Sequence, residues 1–309
     1  MEEITRRTAL KILGAGVATV ALSGVKAQAS ELSRLVEKYQ QKKQDVNPND
    51  PTVPAPDSAY VEKVVYKGPD VTIRQIDEHT WVGNGHLMYN ESIYIVEGEE
   101  KALLIDAGTN IKDLDKIVAS ITKKPVTLVA THVHPDHTGP ESIKYFPELY
   151  ISAADEVMIP GIMPNYQGKV KYFNDGDVWD LGGRQIEAIF TPGHTPGSTT
   201  FFDKKHGYGF SGDSFGSTNL LLMTNFSTLM ATTFRIKWYM QKHGITKLYP
   251  GHYSGDNVET LQRVSDEYDM AVEMLEGKRQ GNASGQRGLN AVITDHGVNI
   301  RYKNPEGIK

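Results

Sequence analysis

Thr131-His132-Val133-His134-Pro135-Asp136-His137-Thr138-Gly139 places three imidazoles and a carboxylate within six residues. On an extended backbone, side chains two apart point to the same side, so His132 and His134 face one way together. Pro135 forces a turn that redirects Asp136 and His137 onto a different side. Two neighbouring sets of ligand atoms result, and each can hold a metal ion. Crowding such groups with no metal between them carries a desolvation cost that nothing offsets. His and carboxylate ligands suit Zn²⁺ and, less specifically, Mn²⁺ or Fe²⁺. The chain has no Cys, so thiolate ligands and disulfides are excluded.

Working outward, the segments around this turn are short apolar strands and a few helices. Val71 to Ile76 alternates with period two. Ser92–Val96 and Lys101–Asp106 flank Glu97-Gly98-Glu99-Glu100, a hairpin signal. Ile111–Ile121 has helical spacing, Pro125–Ala130 is a buried strand, and Thr138–Phe146 is expected as a helix entered from the turn. Two further strands bracket Thr191-Pro192-Gly193-His194. One strand ends at Ser211-Gly212-Asp213 and another, Ile245–Tyr249, at Pro250-Gly251-His252. Strands alternating with helices imply a layered α/β fold. Asp106, the His132 cluster, His194, Asp213 and His252 each follow directly on an apolar strand. Five strand ends therefore deliver polar side chains to one edge, which is how α/β sheets build sites.

Taken in order, these motifs resemble the metallo-β-lactamase superfamily, over roughly Tyr60 to His252. The fold the resemblance implies is the four-layer αββα sandwich. It implies one metal on His132, His134 and His194, a second on Asp136, His137 and His252, and Asp213 bridging them. Asp106 would orient the ligand loop from behind. Two metals about 4 Å apart, Zn²⁺ in the first instance, would hold a bridging hydroxide with its pKa lowered toward about 7. Asp136 would orient that nucleophile and pass a proton to the leaving group. The activity implied is hydrolysis of a carboxyl-type bond in a small molecule: a lactone, a thioester or a β-lactam. A phosphodiesterase using the same two metals, and an exported protein that binds metal without turnover, are the alternatives.

Departures narrow the family reading. Zinc β-lactamases usually carry Cys or Ser where this chain has Asp213. Acyl-homoserine lactonases place a Tyr shortly after the bridging Asp, whereas Ser214, Phe215 and Gly216 follow here. Glyoxalase II relatives carry basic residues in a helical C-terminal region, and Lys278-Arg279 is the sole adjacent basic pair among the 57 residues after His252. Only 38 residues separate Asp213 from His252, too few for the nuclease branch's insertion domain. His134 stands where the iron flavoprotein branch usually has Glu. His79, His206, His243 and His296 read as surface or loop histidines, and His86 as lining a pocket. Leu220–Met240 reads as a long helix packed in the core, and Ile159–Tyr166 as a loop over the site.

The N-terminus reads as an export signal. Arg6-Arg7 precede an apolar run from Ile12 to Val25, and Ala27-Gln28-Ala29 offers small residues for cleavage. This resembles a bacterial twin-arginine (Tat) leader, read by the Tat export machinery, with Ala9 where a Phe is common. The expected division is a signal peptide over 1–29, a Pro-broken linker or arm over 30–59, and a hydrolase domain over 60–309. The formal charge is -5, and removing the leader takes away a net +2, leaving -7. That balance fits an exported, periplasmic protein with no membrane anchor after cleavage and no nucleic-acid partner.

Overall fold

The structure is a computed structural model in which residues 63–286 and 288–304 are described. The expected signal peptide and arm lie outside them. Eight strands form the first sheet side by side in chain order: β1 (Lys63–Lys67), β2 (Val71–Asp77), β3 (Thr80–Gly85), β4 (Ser92–Glu97), β5 (Ala102–Ile105), β6 (Val126–Val129), β7 (Glu148–Ser152) and β8 (Lys169–Phe173). The first five pair antiparallel and the last four parallel, so the sheet changes character at β5. The second sheet takes β9 (Val178–Asp180), β10 (Gln185–Phe190), β11 (Thr199–Asp203) and β12 (Tyr208–Gly212). β13 (Asn219–Leu222) departs, and β14 (Lys247–Pro250) and β15 (Glu259–Thr260) complete that sheet beyond β12. β14 runs parallel to β12, so both end at the same edge.

Period-two alternation decides which side chain goes to which layer. On β4, Tyr94 and Val96 turn toward the second sheet, where they meet Ile186, Ala188, Phe201 and Phe210. Ile93 and Ile95 turn outward, onto α1 (Leu114–Ile121) and α2 (Pro140–Ile143). Both faces are covered, so these strands read as unbroken apolar runs. The second sheet's outer residues, Ile189, Phe202 and Leu248, pack on the long C-terminal helices described next. The described residues therefore make the expected αββα sandwich. Each fully buried core side chain, such as Phe201 or Phe210, contributes about 1.5–3 kcal/mol of burial.

Three local expectations need correction. The helix expected over Thr138–Phe146 is only the single turn α2, because Phe146-Pro147 must lead straight into β7. Ile159–Tyr166 forms a short turn, α3 (Ile159–Ile162), whose apolar side chains join the outer cluster under the first sheet instead of covering the site. Leu220–Met240 is not one helix. Its start is β13, and α4 (Phe226–His243) begins after Asn225, whose side chain caps Thr228 N at 2.9 Å. β13 pairs in parallel with β18 (Val298–Tyr302), which forms a closing hairpin with β17 (Leu289–Asp295). With β16 (Asn282–Gln286) these make a third sheet, packed on α4 and on α5 (Leu261–Leu275). Among the described residues no helix is long and apolar enough to cross a membrane.

Candidate metal centre

β5 and β6 lie in parallel register, Ile105 beside Val129, and their ends start the site. Asp106 follows β5 with φ 64°, a left-handed conformation that non-glycine residues adopt mainly where the surroundings enforce it. Here its fully buried carboxylate accepts from Thr131 N at 2.7 Å, Thr131 Oγ1 at 2.8 Å and His137 Nδ1 at 2.8 Å. After β6 the chain turns at Pro135 as expected, with His137 N and Thr138 N both bonded to His134 O. Gly139 closes the turn against Gly108, where a Cβ would stand 1.5 Å from Thr109 O.

All seven expected side chains come together. His132, His134 and His194 offer ligand atoms within 4.8 Å of one another; so do Asp136, His137 and His252, and so do His132, His137 and Asp213. His132 Nε2 is 3.0 Å and His194 Nε2 2.9 Å from His134 Nδ1. Asp213 lies between the two sets, 3.6 Å from His194 Nε2, 3.6 Å from His137 Nε2 and 3.4 Å from His252 Nε2. Asp136 is 3.6 Å from His252. At Gly251 a Cβ would sit 2.2 Å from Asp213 Oδ1, so the residue before His252 must be bare to let that strand end approach.

The hydrogen bonds behind the rings decide what the front atoms offer. His137 Nδ1 donates to Asp106, His194 Nδ1 to Leu221 O at 2.9 Å and His252 Nδ1 to Tyr89 O at 3.1 Å. Thr131 Oγ1 donates to Asp106 and so accepts from His132 Nδ1 at 3.1 Å. In its neutral form each of these four rings aims a bare Nε2 lone pair at the centre. His134 Nδ1 can donate to only one of the two Nε2 atoms about 3 Å from it, so the other approach is unbonded unless a cation sits among the three rings; tetrahedral zinc sets its nitrogen ligands roughly 3.3 Å apart. The fully buried His137 Nε2 has no hydrogen-bond partner. The residues fit a pair of divalent cations.

Charge separates the two sets. Burial, reinforced by the neighbouring histidines, holds His132 well below its usual pKa and pushes His134 down to about 3. Burial also lowers His194 against the pull of Asp213. His137 and His252 go the other way: burial opposes it, but Asp106 and Asp213 raise the first and Asp213 the second. His252 and His137 hold the Asp213 carboxyl well down despite its burial. The trio set is thus neutral imidazole, and the other set carries the acidic charge.

The centre opens into a cleft of ≈ 280 Å³ lined by Tyr89, Gly216, Ser217, Thr218, Asn219, Leu221 and Asn257 with His194, Asp213 and His252. No Lys or Arg lines it among the described residues. Leu221 puts part of the Leu220–Met240 stretch in the wall. His86 does not line it; its exposed ring is tied to Thr72 and Pro69 O. Sequence reasoning missed Asp155, which is buried and staples two ligand loops. It accepts from Val133 N at 3.0 Å, Thr195 Oγ1 at 2.9 Å and Gly197 N at 2.7 Å. It missed the Ser217 loop too, although Gly216-Ser217-Thr218 is a turn signal.

Comparison with known proteins agrees with this geometry. The family profile described as "Metallo-beta-lactamase superfamily" matches residues 88–140, which hold Asp106 and the histidine-rich turn. "Acyl-coenzyme A thioesterase MBLAC2" of Gallus gallus is 26% identical over 218 residues, 57% of this chain and 77% of that protein. "Atrochrysone carboxyl ACP thioesterase" of Aspergillus fumigatus is 30% identical over 183 residues, 57% of this chain and 54% of that one. A solved structure, "Metallo-beta-lactamase from Pontibacter korlensis", superposes with a TM-score of 0.51 at 21% identity, covering 65% of this chain and 98% of that one. The chain has the metallo-β-lactamase fold, and its residues 88–140 are similar to the profile of that superfamily.

Proposed function

We propose that the chain is a metal-dependent hydrolase of carboxyl-type bonds and that its substrates are thioesters. The observation that carries this reading is the convergence of two carboxylates and five imidazoles, four of them with tautomers set from behind, at the mouth of a cleft. A pair of zinc ions bound there, one by His132, His134 and His194 and one by Asp136, His137 and His252 with Asp213 shared, would supply Lewis acidity and water acidified toward a pKa of about 7. The chain's own residues do the rest. Thr131, Asp106, Leu221 and Tyr89 fix the ring orientations. Asp136, nearly buried beside His252, is the carboxylate we assign to hold the proton and hand it to the leaving sulfur. The cleft's uncharged wall suits a neutral acyl group.

The thioesterases among the relatives favour sulfur over the ring oxygen of a lactone or the nitrogen of a β-lactam. The test is a panel of a short acyl thioester, a lactone, a cephalosporin and bis(4-nitrophenyl) phosphate, with and without chelator. Because the chain has no Cys, a thiol reagent reads released product with no protein background. Thioester cleavage that chelator abolishes and zinc restores is expected. A fully metallated sample that cleaves the phosphodiester faster, or no thioester at all, sinks the reading. We also propose that residues 1–29 direct export. N-terminal sequencing of protein from the exported fraction should then start at Ser30.

A further inference from the structure

We infer that Glu259 is a positioning residue of the substrate cleft, acting through the backbone of Ser217. The segment Gly216-Ser217-Thr218 walls the cleft beside Asp213 and His252. Its backbone passes through three consecutive positive φ angles, 65°, 49° and 118°. Gly216 adopts this freely, but Ser217 and the β-branched Thr218 do so only where the surroundings over-determine them. Two of the tethers are long: Gly216 N to Asp213 O at 3.2 Å, and the exposed Asn299 Nδ2 to Thr218 O at 3.3 Å. The third is short and buried, Ser217 N to Glu259 Oε1 at 2.6 Å. Glu259 thus reaches the serine through its peptide N–H.

Glu259 is a costly way to make that bond. It is fully buried on β15, one strand from His252. Its second oxygen is 3.2 Å from Arg263 Nε, and two helical turns on, both oxygens of buried Glu267 are without hydrogen-bond partners. Burial pushes Glu259 up to about 8 against the pull of Arg263, and raises Glu267 as well. A carboxyl group buried at such cost and aimed at one strained peptide N–H contributes geometry where it contributes little stability. The geometry it fixes is the wall that faces the bound acyl group.

The test compares Glu259→Gln, which keeps an acceptor, with Glu259→Met, which removes it at similar volume, both in the full chain loaded with zinc. A lost buried bond of this kind corresponds to roughly 10-fold to 100-fold. Amide exchange across residues 214–220 should rise about 10-fold or more in Glu259→Met and stay within about twofold in Glu259→Gln. KM for a thioester should rise by a similar factor in Glu259→Met, with kcat and zinc stoichiometry close to the parent's and with Glu259→Gln restoring KM. If Glu259→Met does not fold, Glu259→Asp, which draws the acceptor back by one methylene, takes its place with the same expectation. Unchanged exchange and KM in a folded Met or Asp variant, a loss confined to kcat, or a Gln variant as impaired as Met overturns the assignment. The KM arm rests on the thioesterase reading; a parent that cleaves no thioester sinks that reading, while amide exchange at 214–220 still decides Glu259.

Discussion

Asp106→Asn exchanges one oxygen for an amide nitrogen at a fully buried position and tests how the centre is assembled. Asn tolerates the left-handed backbone at φ 64°, so the loop survives. One oxygen can still accept from Thr131 N. The new NH₂ then faces both Thr131 Oγ1 and His137 Nδ1, where the carboxylate accepted two bonds. His137 can keep its bond only by moving its proton to Nε2, which removes the lone pair aimed at the centre. Thr131 Oγ1, now an acceptor, turns its hydrogen toward His132 Nδ1 and disturbs a second ring. Loss of such a supporting partner costs about 10–100-fold in metal affinity, or roughly 1.4–2.7 kcal/mol. Competition for zinc against a chromogenic chelator measures it directly. A folded Asp106→Asn protein that holds two zinc ions as tightly as the parent, within about twofold, would refute the argument that tautomers set from behind create the site.

Zinc should stabilise the fold: at free zinc about a hundredfold above Kd the gain is roughly 2.7 kcal/mol, seen as a rise in Tm that chelator reverses. Asp155→Ala strands Val133 N, Gly197 N and Thr195 Oγ1, and should cost about 3–5 kcal/mol in urea unfolding while loosening His132 and His194 together. Glu259 carries a pKa raised to about 8, so the folded state holds a proton that the unfolded state releases at ordinary carboxyl pH. Its contribution to stability therefore declines as pH rises from about 4.5 to about 8. Glu259→Gln should remove that decline, so its Tm should gain on the parent's across that window; parallel Tm curves would count against the buried charge.

Much of the site was legible because each ligand follows a strand, and strand ends are local features of sequence. His132 and His134 could be paired from their spacing, and Asp136 and His137 from the turn at Pro135. His194, Asp213 and His252 were found because each follows an apolar strand and matches, in order, a motif of the family the chain resembles. Strands alternating with helices implied a layered α/β fold, and the four-layer αββα arrangement came from the family resemblance. What escaped notice depends on contacts far apart in the chain. Asp155 sits in Ala153-Ala154-Asp155-Glu156, an unremarkable surface-like string, and gains its role only when two ligand loops meet over it. Glu259 lies 42 residues from Ser217 in sequence and has no local pattern. Leu220–Met240 looked like one helix because β13 is too short and too apolar to be told from helical core by periodicity.

The Leu221 carbonyl that holds His194 belongs to β13, and β13 lies against β18 from Asn219 beside Asn299 to Leu222 beside Tyr302. About 80 residues therefore emerge between the strand that holds this ring and the strand that braces it. At roughly 5–20 residues per second, the 49 residues from His252 to Arg301 mean that a growing chain carries every ligand for some 2.5–10 seconds before that brace arrives. During this interval, zinc captured by the nascent chain meets a half-oriented set of rings, so maturation of the centre is timed by the arrival of β18 rather than by the appearance of its last histidine.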